Sequence, residues 1–343
     1  MTEIQSAQNT LKRSFFGIRK IRVGIIGMGF IGEVHMKNLM KDERVDLIGV
    51  MEANNDRARY VTNKFNVKRF LTLEEMRNSG IEAVYITTPN RTHFELASQA
   101  VKQGFHVFCE KPMTISLSDA KTLRQYVLGK KVKFQVGHNR IFAYVYKYAK
   151  HAIDTREIIP YSFQVKMNRG ELLNPPWVSD KNITGGFLFE STLHLFYIVE
   201  YFFGKIKEMH VFAKKSIYDD FDDWAFVIKT SSEIIGTFVS SAHTGWMVPF
   251  ERVEIYGKHM MISNDEMERL SFNRGLEAET EIHDYSKMPF EKKWGYVEED
   301  RSFITSILEN KQPFVTVSDG LRAVEIVDAC YKAARENEPV VKF

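Results

Sequence analysis

Ile21-Arg22-Val23-Gly24-Ile25-Ile26-Gly27-Met28-Gly29-Phe30-Ile31-Gly32 is the stretch that decides the fold. Ile21 to Ile26 is a short apolar run with strand character. It ends in a G-x-G-x-x-G turn that opens a helical pattern. Each glycine has an expected task. Gly27 allows the tight turn, Gly29 lets the backbone approach a pyrophosphate, and Gly32 lets the helix pack on the strand. The pyrophosphate would sit on the free N–H groups of the helix start, at Phe30 and Ile31. A second apolar run, Val45 to Met51, ends in Glu52, twenty positions after Gly32. A carboxylate there accepts hydrogen bonds from both adenosine ribose hydroxyls and repels a 2′-phosphate. That favours NAD, while Arg57 nearby keeps NADP possible.

Working outward, strands alternate with helices up to residue 139. Thr72 with Glu75, and Thr92 with Glu95, read as capping boxes that start helices. Ala83 to Thr87 is an apolar strand that runs into Thr88-Pro89-Asn90-Arg91-Thr92-His93. This loop sits at the carboxyl edge, so Thr88, Pro89, Asn90 and His93 are expected on the cofactor side. His106 to Glu110 is the next strand and delivers Lys111 to the same edge. Pro112 has no N–H and a fixed φ, so the chain must leave the sheet there. Glu110 is expected to hold this loop or a cofactor hydroxyl. Ser116 to Leu128 is a helix, and Val132 to Val136 a strand that opens into Gly137-His138-Asn139-Arg140. The alternation implies a parallel, right-handed, doubly wound sheet, with its ligand crevice at the carboxyl ends of the strands.

The bulk properties exclude several classes. The 343 residues are enough for two cores. The net charge of +3 gives no electrostatic case for nucleic acid. No apolar run reaches membrane-spanning length, so no membrane partner is expected. Residues 1–20 lack a signal-peptide core and read as an N-terminal extension of a cytoplasmic protein. Cys109 and Cys330 make neither a disulfide framework nor a zinc motif, and no acidic or histidine ligand cluster calls for a metal. Residues 140–343 are rich in strands: 161–168, 208–213, 224–230, 234–240 and 252–256 carry β-branched or aromatic residues between turn signals. Between them, Glu190 and His194 are four apart and share one face if the segment is helical.

Taken together, GMGFIG, TTPNRTH, CEKP and VGHNR stand in the order and spacing of the Gfo/Idh/MocA oxidoreductases, which this chain resembles from about residue 20 onwards. The resemblance implies a Rossmann domain over 21–139. It also implies a substrate-binding α+β domain over 140–343, with a large, open, mainly antiparallel sheet. One face of that sheet would cover the active site, and the other would make homodimer or homotetramer contacts. Family members carry an aspartate and a histidine four apart facing the nicotinamide. Here the histidine is His194, the aspartate position holds Glu190, and a usual glycine is Thr192. The implied chemistry is reversible oxidation of a secondary hydroxyl on a sugar or cyclitol. His194 is then the general base, Lys111 stabilises the developing alkoxide, and Glu190 orients the hydroxyls or His194. Asn139, Arg140 and Trp177 are candidate substrate contacts. Two other functions fit the resemblance: an NAD-binding sensor without catalysis, and a glycoside-cleaving enzyme that uses bound NAD transiently.

Overall fold

The computed structural model describes residues 19–169, 176–245 and 249–343. The first sheet has six strands: β1 (Ile21–Ile26), β2 (Val45–Met51), β3 (Lys68–Phe70), β4 (Ala83–Ile86), β5 (His106–Glu110) and β6 (Phe134–Gly137). Their order is β3-β2-β1-β4-β5-β6, and every pairing is parallel. The order reverses between β1 and β4, so the chain leaves these two strands in opposite directions and opens a crevice at their carboxyl ends. β1, β4 and β5 are almost wholly buried apolar runs, as a sheet covered on both faces requires.

The second sheet has nine strands. They are β7 (Ser162–Asn168), β8 (Ile206–Lys214), β9 (Asp223–Thr230), β10 (Ile235–Ser241), β11 (Glu251–Gly257), β12 (Met260–Asp265), β13 (Arg269–Asn273), β14 (Thr280–Asp284) and β15 (Val340–Lys342). The order is β14-β13-β12-β11-β7-β10-β9-β8-β15, antiparallel except between β7 and β10. Burial alternates strictly along β9 and nearly so along β10, the pattern of a sheet with one packed and one open face. Sequence reading located β7 to β11 but not β12 to β15. β14 is a short edge strand, Thr-Glu-Ile-His-Asp, without a buried residue, so it has no core-facing alternation to read.

Capping chemistry differs from the expectation at both helices. Thr72 Oγ1 accepts from the Glu75 N–H, half of the anticipated box, while the Glu75 carboxylate accepts from the Leu71 N–H and not from that of Thr72. Thr92, however, is held in a 3₁₀ turn, where its hydroxyl lies 2.7 Å from both the Thr88 hydroxyl and the Pro89 carbonyl and donates to one of them at a time. The helix His93–Lys102 therefore starts without a side-chain cap at Thr92.

Two helices from the end of the chain return to the first sheet. Tyr296–Leu308 lies against the helix Phe30–Met40. Its Phe303, Ile304 and Ile307 join the core formed by Ile21, Val23, Ile25, Tyr85 and Phe108. Val317–Glu336 packs on the helix Leu117–Leu128 and on β6. A sequence boundary at 139/140 cannot show this, because the apolar face of a helix does not name its partner. Phe303 is fully buried. Phe303→Ala should therefore destabilise the protein by about 3–5 kcal/mol, read as a lower midpoint in urea unfolding.

Candidate active site

The glycine turn has the geometry its spacing implies. Gly27 has φ +88°, which suits glycine and few other residues. A Cβ on Gly32 would lie 2.4 Å from the Gly27 carbonyl oxygen, so the helix can approach the turn only without a side chain there. Gly32 thus acts through packing. Beside it, a Cβ on Gly29 would meet nothing within 4 Å, so the backbone borders open space. Gly29 N-caps the helix Phe30–Met40 without a side-chain hydrogen bond, so the first-turn N–H groups face that space uncapped by a side chain.

This space is a cleft of about 810 Å³ along the carboxyl edge of β1, β4 and β5. Gly27, Gly29, Phe30, Ile31 and Glu52 line one end. Thr88, Pro89, Asn90 and His93 line the middle, and Glu110, Lys111, Trp177 and Glu190 the other end. Trp177 is 38% exposed, an indole held at the cleft rather than in a core. Glu52 accepts from the N–H groups of Met28 (2.7 Å) and Asn54 (2.8 Å), which fixes its carboxylate at the end of β2. Arg57 is committed elsewhere, to the Met28 carbonyl and to Glu33. The guanidinium beside Glu52 is instead Arg69, which donates to the Glu52 carbonyl (3.0 Å) and to Asn55 (2.8 Å) and lines the cleft. Sequence reading passed over it because β3 is only three residues long.

At the far end the two halves of the chain meet. Lys111 Nζ donates to the Glu190 carbonyl at 2.7 Å and lies 3.9 Å from the Glu190 carboxylate. Asn90 Nδ2 donates to that carboxylate (2.9 Å) and to the Thr184 carbonyl (3.0 Å). Glu190 belongs to a π turn, Leu188–Thr192, that leads into the helix Leu193–Phe203. The expected α-helical spacing of Glu190 and His194 is thus replaced by a widened turn, a feature common at functional sites. His93 ties the loop to the exit of Lys111. Its ring nitrogens lie 2.7 Å from the Pro112 and Thr88 carbonyls, and the neutral ring donates to one of them at a time. Burial pushes its pKa down.

Behind Lys111 lies a polar interior. His194 is 4% exposed, and its Nδ1 has no partner among the described residues. Burial, and then the positive charges of Arg140 and Lys111, hold its pKa well below the ordinary 6.5, so the imidazole is neutral at neutral pH. His138 meets His194 edge to face at 5.7 Å and stacks on Tyr197 at 4.5 Å. Neither of its ring nitrogens has a partner among the described residues, and burial lowers its pKa to about 3. Sequence reading chose its neighbours instead. Its position, one residue past the end of β6, was the available signal.

Those neighbours, Asn139 and Arg140, are not free for substrate. Arg140 is 3% exposed and lies 3.1 Å from Glu251, itself fully buried, whose other oxygen accepts from the Tyr146 hydroxyl at 2.6 Å. The guanidinium also lies over the Trp294 ring at 4.5 Å. Asn139 donates to the Trp294 carbonyl (2.8 Å) and accepts from Arg140 (3.2 Å). Buried charges persist only when paired, and this pair takes up the groups that the sequence had offered to a ligand.

A second buried group lies beneath Lys111. His35, on the helix Phe30–Met40, has Nδ1 2.6 Å from Asp300 and Nε2 3.1 Å from Glu110. Asn38 donates to the other Asp300 oxygen at 2.9 Å. Glu110 Oε2 in turn accepts from the Lys111 N–H at 3.0 Å. Burial works against charge on His35, but Asp300, and then Glu110, raise its pKa to about 10.

With this geometry in hand, comparison with known proteins identifies the architecture. Residues 21–138 match the oxidoreductase family's NAD-binding Rossmann fold, and residues 150–343 its C-terminal alpha/beta domain. The chain belongs to the Gfo/Idh/MocA oxidoreductase family. It is similar to the myo-inositol 2-dehydrogenase of Thermotoga maritima, with 26% identity over 332 residues, 93% of this chain and 98% of that protein. It is also similar to the scyllo-inositol 2-dehydrogenase (NAD(+)) of Bacillus subtilis, with 30% identity over 188 residues, 54% of each chain. Among solved structures, an oxidoreductase from Agrobacterium radiobacter in complex with NAD+, L-tartaric acid and magnesium has a TM-score of 0.84 at 17% identity. It covers 94% of this chain and 98% of its own, and it shows the same fold. Among the described residues of this family member, no helix is long and apolar enough to cross a membrane.

Two predictions follow from the buried charges. Arg140→Ala leaves Glu251 buried without its cation and should cost about 3–5 kcal/mol of stability, measured by chemical denaturation. The histidines also set a pH optimum of stability. Below pH 6.5 the unfolded chain takes up protons that buried His93, His138 and His194 refuse, so stability falls with falling pH. His35 does the opposite. Its stabilisation is complete below 6.5 and is lost as pH rises through about 10. Urea midpoints across that range should peak near neutrality, and the alkaline loss should be smaller in His35→Gln.

Proposed function

We propose that this protein is an NAD-dependent dehydrogenase that reversibly oxidises a secondary hydroxyl of a sugar, sugar derivative or cyclitol. The observation that carries the reading is the meeting of Lys111, Glu190 and Asn90 at one end of a cleft whose other end is the glycine turn and Glu52. The cleft suits a dinucleotide: it pairs open backbone at Gly29 and first-turn N–H groups with an acidic residue at the end of β2. Once bound, the nicotinamide supplies the hydride acceptor. The relatives named as inositol dehydrogenases support a polyhydroxylated substrate.

The chain's own residues would divide the remaining work. Lys111 holds its ammonium at the cleft and donates a hydrogen bond to the reacting oxygen, stabilising the alkoxide. His194, kept neutral by burial and neighbouring cations, takes the hydroxyl proton. Glu190, fixed by Asn90, orients the substrate hydroxyls; it stands where relatives usually have an aspartate, so its carboxylate reaches one methylene further. Trp177 covers the nicotinamide end. Glu52 favours NAD by bonding ribose hydroxyls and repelling a 2′-phosphate. The reading extends to a cytoplasmic homodimer or homotetramer. Both cysteines are free and buried, which suits a reducing compartment. Phe212, Val227 and Val239 are 60%, 51% and 41% exposed on the open face of the second sheet, where a second copy would cover them.

NADH formation across a panel of inositols, aldoses and sugar phosphates tests the reaction. Lys111→Met should lower kcat by about 100-fold or more while NAD affinity, measured by calorimetry, stays within a few-fold. Unchanged turnover would remove Lys111 from the chemistry. Glu52→Ser combined with Ala53→Arg should shift preference towards NADP in the ratio of kcat/KM values. A parent enzyme that already prefers NADP would refute the role given to Glu52. NAD binding without turnover of any compound would favour the sensor or transient-redox alternatives.

A further inference from the structure

We infer that His35 is a positioning residue for Lys111: it bridges Asp300 and Glu110, and so fixes the carboxylate that receives the Lys111 backbone N–H. The inference deepens the role proposed for Lys111 and rests on that reading.

The geometry carries it. His35 is fully buried on a helix that begins at the glycine turn. Each ring nitrogen faces a carboxylate oxygen, Asp300 at 2.6 Å and Glu110 at 3.1 Å. A neutral imidazole has one N–H and can donate to only one of them; the imidazolium has two and serves both. Aromatic rings wall the site, with Phe108 at 4.9 Å, Tyr85 at 5.4 Å and Tyr296 at 5.7 Å from the imidazole. The ring itself is fully buried, and its loss as a cation would leave two largely buried carboxylates without a counter-charge.

The titratable neighbours pull in both directions: burial raises the Asp300 pKa, and His35 and Asn38 work against that rise. Glu110 loses by burial, but His35, through its hydrogen bond and charge, and then Lys111, bring its pKa below the ordinary range. Glu299 also faces the pair: one atom each of His35, Glu110 and Glu299 lie within 4.8 Å of one another. Its carboxyl oxygens have no partner among the described residues, and burial, with Glu110 beside it, raises its pKa well above the ordinary value, which disfavours a third negative charge there. The three could be taken for a metal site. The imidazolium assignment and a metal site exclude each other, because an Nε2 that donates to Glu110 cannot ligate a cation.

The arrangement also links distant parts of the chain. Asp300 and Glu299 sit on the helix Tyr296–Leu308, which returns from the end of the sequence. Glu110 is the last residue of β5 and lines the cleft. The path Asp300–His35–Glu110 thus runs by hydrogen bonds from that helix to the Lys111 backbone N–H, at the root of the side chain that carries the ammonium. A displacement of about 1 Å at a reacting group can cost a hundredfold in rate, so loss of this support has a measurable cost.

Two readouts are independent of substrate. In ¹⁵N-labelled protein at pH 8, the His35 ring, assigned by its loss in His35→Gln, should show both nitrogens protonated; a neutral tautomer overturns the inference. Amine labelling read by peptide mass spectrometry should change several-fold at Lys111 in His35→Gln and in Asp300→Asn, but not at surface Lys121; equal labelling overturns it. Asp300→Asn keeps the side-chain shape and serves if His35→Gln does not fold. With any panel compound the enzyme turns over, both variants should lose about 10- to 100-fold in kcat at nearly constant NAD affinity. The His35→Gln/Glu110→Gln double variant should lose no more than Glu110→Gln alone. Undiminished kcat overturns the inference. If no compound is oxidised, the dehydrogenase reading fails, while the ring and labelling readouts still decide the place of His35.

Discussion

Lys111 Nζ reaches 2.7 Å across the cleft to the backbone carbonyl of Glu190, seventy-nine residues away. The site depends on this hydrogen bond, because it joins the carboxyl edge of a parallel sheet to a turn from the other half of the chain. A lysine at the end of β5 could otherwise extend into solvent. A carbonyl in a π turn, set by the Leu188–Thr192 geometry, gives the ammonium a defined place. Asn90 fixes the Glu190 carboxylate from the loop after β4, so three segments converge on one point.

Around that point the protein keeps four histidines in two charge states: burial drives all four towards the neutral form, and only His35 has carboxylate partners that overcome it. His35, His93, His138 and His194 are all buried. His35 meets two carboxylates and is held protonated. Burial holds His138 and His194 neutral, and the charges of Lys111 and Arg140 add to it. His93 meets only carbonyls. A neutral imidazole beside an ammonium suits proton removal from a hydroxyl, while a buried imidazolium between carboxylates suits rigidity. The placement of charge thus separates groups suited to reaction from groups that hold them.

Much of this was legible in the chain. β1, β4 and β5 fall where the sequence placed them, because a strand buried on both faces is written as a nearly continuous apolar segment. Gly27 and Gly32 announced a turn that no side chain fits. Lys111, Glu190, Asn90 and Trp177 do meet at the cleft. The misreadings have one origin. Arg140 and Asn139 looked available since they are polar and near the edge, yet the sequence does not show that Glu251 and Trp294, more than a hundred residues on, absorb them. Arg69 and His138 were passed over although each stands at the edge of a strand, Arg69 in the three-residue β3 and His138 one residue past β6.

The sequence by itself determined the local rules: strand runs, the glycine turn, the acidic end of β2 and the lysine at the end of β5. These follow from periodicity and backbone sterics, which act over a few residues. Tertiary structure alone decided which polar groups stay free and which charges each histidine feels. It also decided that the helix Tyr296–Leu308 belongs to the core of the first sheet. Hydrogen bonds and Coulomb interactions act between atoms close in space, and Asp300 comes close to His35 only after the chain has folded back on itself.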